Sequence, residues 1–255
     1  MKLDFHVHGL LSKKSDFNEE LFLKGIEYAK EQGLNGFVLC EHFNAKDIKS
    51  IYKYLEDNYK YVGDKYIVND FSVFLGMEVD IKNGGHVIVS GNREDILNLR
   101  CFLNDYRIKP NFIEFEKLIE FSEKHNCLII GSHPYRDSHK LYLQPKDFLK
   151  RLDALDLNAT DIFTKGLECT REKVEGLSNE LDIPYVTGSD SHYPMQLGSV
   201  STEFNKEYTR VSEIKNAIKN KEYKINISKA IDIKVFSAKV SKAYIKGKMI
   251  CEINV

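Results

Sequence analysis

The 255-residue chain has no run of about 18 consecutive apolar residues, so no membrane-spanning helix is expected. Cysteine is sparse: there are five, an odd number, with no CxxC pair. That excludes a disulfide framework or a structural zinc knuckle as the organising feature. Most of Cys40, Cys101, Cys127, Cys169 and Cys251 lie in apolar surroundings and read as small buried hydrophobes. Neither sign of charge is in excess, since 37 basic and 38 acidic residues leave a formal net charge of −1. A near-neutral chain has no general attraction to nucleic acid or to an anionic membrane, so neither is expected as a partner. The N-terminal stretch MKLDFHVHGL has no long apolar run and no cleavage-like site, which makes the cytoplasm the expected location.

The 42% hydrophobic fraction suits a globular core. Short apolar segments alternate with amphipathic ones. Lys2–His8, Gly36–Cys40, Phe71–Ile81, His86–Ser90, Cys127–Gly131, Asp153–Leu157 and Tyr185–Gly188 read as strands. Between them Asn18–Gln32, Lys46–Tyr59, Glu94–Asp105, Phe115–His125, Asp147–Leu152, Arg171–Leu181 and Val211–Lys219 read as helices. Gly33 ends the first helix, and Gly84-Gly85 marks a turn into the His86 strand. Alternation of this kind predicts a parallel sheet with crossover helices, and the number of βα units suits a barrel. Residues 1–225 are expected to form this barrel, with 226–255 a strand-rich extension packed on it.

Of eight histidines, five fall at or just past the end of an expected strand: His6, His8, His42, His133 and His192. In a parallel barrel those ends open onto the active site. His6 and His8 lie two residues apart, so both imidazoles project from one side of a strand. Asp190 and His192 repeat the spacing with a carboxylate and an imidazole. Glu78 lies on a further strand, where a carboxylate can bridge two ions. A single strand-end histidine is more often a packing residue than a ligand, but seven such side chains together are hard to explain separately. Nitrogen and oxygen donors without thiolate suit manganese, zinc or iron, and a set this large suggests two or three divalent ions with open positions.

The motifs Asp4-Phe5-His6-Val7-His8, Glu41-His42, Gly76-Met77-Glu78, Ser132-His133-Pro134 and Gly188-Ser189-Asp190-Ser191-His192 occur in this order. In this the chain resembles the PHP (polymerase and histidinol phosphatase) family. Asp156-Leu157-Asn158 is similar to a family strand that ends in Glu-x-Asn, and Gln196-Leu197-Gly198 to its closing turn. The resemblance implies a distorted (β/α)7 TIM-like barrel with up to three ions in its mouth. It implies that His6, His8, Glu78 and Asp190 hold the first ion, that Glu78 and His133 hold the second with His86 as a further ligand, and that His42 and His192 hold the third. The stretch Gly9–Ser15 lacks the histidine that often completes the third site, and Glu41 stands where the family has Asp.

The activity implied is hydrolysis of a small phosphomonoester, with Asp190, His192 and Glu78 at the catalytic centre and His192 able to protonate the leaving oxygen. Arg136, Lys13 and Lys14 follow the metal motifs and are the candidate phosphate binders. His139 reads as a surface residue, and His125 as the end of a helix, set against its dipole. Three rivals stay open. An amidohydrolase-like enzyme acting on a C–N bond or lactone shares the HxH start, but no bridging lysine is evident. A nuclease acting on nucleic-acid ends is disfavoured by the absence of a basic stripe. A non-catalytic metal-binding regulatory module would tend to have lost ligands.

Overall fold

A computed structural model of the protein describes residues 1–247. The first half runs β1 (Lys2–Val7), α1 (Glu19–Glu31), β2 (Gly36–Leu39), α2 (Ile48–Asn58), β3 (Lys60–Val62), β4 (Lys65–Val68), β5 (Phe71–Asp80), β6 (His86–Ser90), α3 (Arg93–Phe102) and α4 (Phe115–Lys124). It continues with β7 (Leu128–Ser132), α5 (Lys146–Leu149), β8 (Ala154–Asn158), α6 (Ala159–Lys165), α7 (Leu167–Leu181), β9 (Tyr185–Gly188), β10 (Val200–Phe204), α8 (Val211–Lys219), β11 (Tyr223–Ile227) and α9 (Ile231–Ile245).

Seven of these strands make the barrel wall, in the order β1-β2-β5-β6-β7-β8-β9. The wall closes where the segment after β9 meets β1: Asp190 N donates to His6 O at 2.8 Å and His8 N to Ser191 O at 2.9 Å. Asp4 ties the same seam, its Oδ1 accepting from Ser189 N at 2.9 Å. Leu3, Phe5, Val38, Phe74, Ile88, Ile130, Ala154 and Val186 form one apolar cluster that takes a residue from every barrel strand and packs on Val211, Ile214 and Ile218 of α8. A filled interior of this kind is what a small barrel needs, because its centre is a packed core and not a pore. A second, larger cluster buries the inner faces of the surrounding helices.

The expected parallel order holds for β1–β2, β2–β5, β7–β8 and β8–β9, but β6 runs antiparallel to both β5 and β7. The cause is the short Asn83-Gly84-Gly85 turn, whose three residues all have positive φ and reverse the chain without a crossover helix. This hairpin has a consequence for the site. Asp80 pairs with His86, so the start of β6 sits at the same barrel end as the C-terminus of β5. The hairpin β3–β4 and the strands β10 and β11 extend the sheet beyond the barrel.

The strand-rich reading of 226–255 is corrected. Past β11 the chain forms α9, a 15-residue helix, and residues 248–255 lie outside the described part. Ile231-Asp232-Ile233-Lys234-Val235 alternates apolar and polar like a strand, yet the residues buried are Ile231, Lys234, Val235 and Ala238, a helical spacing. Lys234 pins the helix down by donating to Tyr28 Oη (3.1 Å), Gln32 Oε1 (2.8 Å) and Leu197 O (3.2 Å). The cysteines are also corrected: Cys40 and Cys127 are buried, but Cys101 and Cys169 are exposed. No helix among the described residues is long and apolar enough to cross a membrane.

Candidate metal centre

Glu78 is the hub. It lies near the end of β5, almost completely buried, and both its oxygens face imidazoles from other strands. Oε1 is 2.7 Å from His86 Nδ1, 3.1 Å from His133 Nε2 and 3.3 Å from His6 Nε2. Oε2 is 2.8 Å from His42 Nδ1 and 3.6 Å from His8 Nε2. Burial would push its carboxyl up, but His86, His42 and His6 outweigh that and hold it well below the usual range.

Asp190 divides its two oxygens. Oδ2 accepts from Arg136 Nη1 at 2.5 Å, while Oδ1 is 3.3 Å from His8 Nε2 and 3.6 Å from His6 Nε2. Burial again opposes ionisation, and Arg136 leads the groups that overcome it. Asp190 and His133 both have positive φ, at 58° and 29°. Left-handed backbone is unfavourable for residues with a side chain, and two such turns at strand ends are strain held at the site. Gly188 is required for a different reason: a Cβ there would lie 2.3 Å from His6 Cβ and 2.8 Å from Asp156 Oδ1. Only glycine lets β9 pass this close to the first imidazole.

The imidazoles are oriented from behind. His6 Nδ1 donates to Asp156 Oδ2 at 2.9 Å, because a carboxylate can only accept, and this leaves Nε2 bare toward Glu78. Asp156 is in turn held by Asn158 Nδ2 at 2.8 Å. His192 Nδ1 donates to Leu10 O at 2.9 Å, which likewise presents Nε2. His8 Nδ1 is 3.4 Å from Glu41 Oε1, and Glu41 is fixed by the backbone N–H groups of Leu10 and His42. The irregular register of β1 against β2 between Asp4 and Val7 falls at His6, where such a shift re-aims side chains.

The clusters these residues form are His6–His8–Asp190, His6–Glu78–His133, His42–Glu78–His86, His8–His42–His192 and His86–His133–His139, each with donor atoms within 4.8 Å of one another. Among the described residues, several buried atoms at the centre have no partner in hydrogen-bond geometry: His6 Nε2, His8 Nδ1 and Nε2, His42 Nδ1, Glu78 Oε2 and His133 Nδ1, although His42 Nδ1 and Glu78 Oε2 lie 2.8 Å apart. An unpartnered buried polar atom costs about 1–3 kcal/mol, so this many in adjoining clusters fits divalent ions as the missing partners.

All seven residues implied as ligands thus converge, and His86 joins them with qualifications. Its Nε2 is 2.8 Å from Asp80 Oδ1, so each ring nitrogen already faces a carboxylate. Burial disfavours its cation, but Glu78 and Asp80 overcome this and raise its pKa to about 9. His139 corrects the surface reading: its ring centroid is 3.6 Å from that of His86, and burial lowers its pKa to about 4. Of the candidate phosphate binders, Lys13 lines the cavity but is held by Asp80 Oδ2 at 2.8 Å. Lys14 is exposed and does not line it. Arg136 lines it, yet its Nε goes to Asp161 (2.9 Å), Nη1 to Asp190 and Nη2 to Asn158 (2.8 Å). His125 pairs with Asp95 at 2.8 Å, away from the centre. Sequence reasoning missed Asp80, which meets His86 only through the β5–β6 turn, Asp156 and Asp161, whose partners are distant in sequence, and the two α9 lysines that complete the cavity wall, Lys239 and Lys242.

The fold is a seven-stranded, nearly closed barrel with clusters able to hold metal at one end. Residues 170–223 match the family model described as PHP-associated. No curated protein matches the chain. Among solved structures, PsfC from Pseudomonas syringae PB-5123 superposes with a TM-score of 0.78 at 19% identity, over 96% of this chain and 98% of PsfC. The lesion-specific endonuclease PfuEndoQ from Pyrococcus furiosus gives 0.64 at 22% identity, over 88% of this chain but 57% of its own. An amidohydrolase from Chromobacterium violaceum gives 0.51 at 11% identity, over 89% of this chain and 99% of its own. At these identities the likeness shows the fold alone. The family match is confined to residues 170–223, and the solved structures add a likeness of fold. Because an endonuclease shares the fold, a near-neutral charge is not enough to set nucleic acid aside.

Proposed function

We propose that the protein is a metal-dependent hydrolase that cleaves a small phosphomonoester, with two or three divalent ions (manganese, zinc or iron) held by the strand-end histidines and carboxylates. The observation that carries this reading is the set of buried atoms without a hydrogen-bond partner on His6, His8, His42, Glu78 and His133, all residues of the adjoining clusters able to hold metal. His6, His8, Glu78 and Asp190 would hold one ion. Glu78 and His133 would hold the second, with His86 or His139 beside them, and His42 and His192 the third, with His8 adjoining. Such ions, when bound, supply a nucleophile near neutral pH and neutralise charge on phosphoryl oxygens.

The chain's own residues do the positioning. Asp156 and the Leu10 carbonyl lock His6 and His192 with Nε2 bare. Burial, with His8 and Lys242 adding to it, holds the His192 pKa well below its usual value. His192 therefore offers a lone pair and fits a ligand better than the leaving-group acid first expected. Arg136 keeps Asp190 ionised and points one of its oxygens at His6 and His8. The cavity of about 340 Å³ admits a small ester group, and the cations around it favour an anion over a neutral amide or lactone.

The test is phosphate release from a panel of monoesters, beside DNA with a lesion and a set of lactones and amides. Chelation is expected to abolish monoester turnover and added manganese to restore it. Turnover indifferent to chelator, or confined to C–N or lactone substrates, would overturn the proposal.

A further inference from the structure

Four lysine and arginine side chains line the cavity: Lys13, Arg136, Lys239 and Lys242. Two are committed to carboxylates. Lys13 is bound to Asp80, and all three of the Arg136 nitrogens that serve as donors are taken by Asp161, Asp190 and Asn158. The ammonium groups of Lys239 and Lys242 have no hydrogen bond or ion pair among the described residues; that of Lys239 rests 4.7 Å from the Phe163 ring centroid. Neither is a free surface lysine, because both are only partly exposed and their helix is anchored by Lys234. Lys242 lies three positions after Lys239 and four after Ala238, spacings that bring side chains together on a helix, and all three border the cavity. A partly desolvated ammonium with no carboxylate in contact is costly, and the carboxylates that attract these two from further off, Asp161 and Asp190 for Lys239 and Asp190 and Glu41 for Lys242, are already held by Arg136 or by backbone N–H groups. In a cavity whose other cations are satisfied, the missing counter-charge belongs to what enters it.

We propose that Lys239 and Lys242 are the substrate's anion grip: they bind the phosphoryl oxygens of a small phosphorylated molecule, while Arg136 is a positioning residue for Asp190. This rests on the phosphoesterase reading and moves substrate recognition from the loops after the metal motifs to α9.

Inorganic phosphate is the probe, titrated calorimetrically into the full chain, metal-free and manganese-loaded. In Lys239→Met/Lys242→Met the Kd is expected to weaken about tenfold or more, the scale of a lost charge-assisted contact. The exposed control Lys219→Met/Lys224→Met, with the same change in net charge, should stay within about twofold. Lys239→Arg/Lys242→Arg should recover most of the affinity, since the positive charge is kept. With an ester that is turned over, KM should rise in the methionine variant while kcat changes little. An unchanged Kd in that variant, with its melting temperature equal to the control's, overturns the proposal, as does a wild type that binds no phosphate in either metal state. A DNA duplex that displaces phosphate, with its own affinity lowered in the methionine variant, overturns the small-substrate assignment. The two readings fail separately. Lysine-dependent phosphate binding without turnover of any monoester defeats the phosphoesterase reading alone. Turnover with KM unchanged in the variant defeats the grip alone.

Discussion

Replacing Glu78 by Gln is expected to lower metal-supported turnover by more than about a hundredfold, a loss that partners one layer further from a metal already produce. The reason is geometric. One carboxylate oxygen faces His6, His86 and His133, and the other faces His42 and His8. An amide has one acceptor and one donor, so it cannot offer an anionic oxygen to both sides, and its N–H groups would point at imidazole lone pairs. The same change has a signature free of turnover. In the metal-free protein His86 titrates near 9 because Glu78 and Asp80 overcome the burial that disfavours its cation. Removing the Glu78 charge should shift that titration downward, read by NMR of the imidazole protons. A Glu78→Gln protein with near-normal turnover and an unmoved His86 would show that the carboxylate is not the hub.

Arg136→Met is expected to cost about 3 kcal/mol of stability, because removing one partner of a buried ion pair strands the other. Here two carboxylates are stranded. Asp161 and Asp190 are each about one-tenth exposed at the side chain and both rely on the same guanidinium. For a chain of this size the loss lowers Tm by roughly 6–12 °C. Activity should fall as well, since Asp190 loses the contact that aims it. This result separates the two accounts of Arg136. A residue whose task is to hold substrate phosphate leaves the empty protein's stability unchanged or improved when removed, so an unaltered Tm would restore the phosphate-binding role expected from sequence.

The candidate ligand set was legible because its signal is local. His6-Val7-His8, Glu78 and Asp190-Ser191-His192 sit at ends of apolar strands, and the barrel brings such ends together wherever they lie in the chain. What supports them was not legible. Asp156 meets His6 across 150 positions, and Arg136 of the loop after β7 joins Asp161 of α6 and Asp190 of the segment after β9, contacts that no periodicity announces. His139 lies in a polar loop, and only the return of β6 brings His86 beside it. The antiparallel β6 was present in the Gly84-Gly85 turn but was outweighed by the alternation of strands and helices elsewhere. The largest miss was α9. Exposed Ile233 and Phe236 blur its apolar stripe, so its helical period is plain only once Lys234 is seen buried against α1. The lysines of the cavity wall went unread with it.

The buried histidine and carboxylate cluster is proposed as a metal centre. Elemental analysis of protein purified without chelator, then reconstituted with manganese and freed of excess ion, tests it most directly. Two or three ions per chain, falling in Asp190→Ala, is the predicted result; a chain that retains no metal after reconstitution contradicts it.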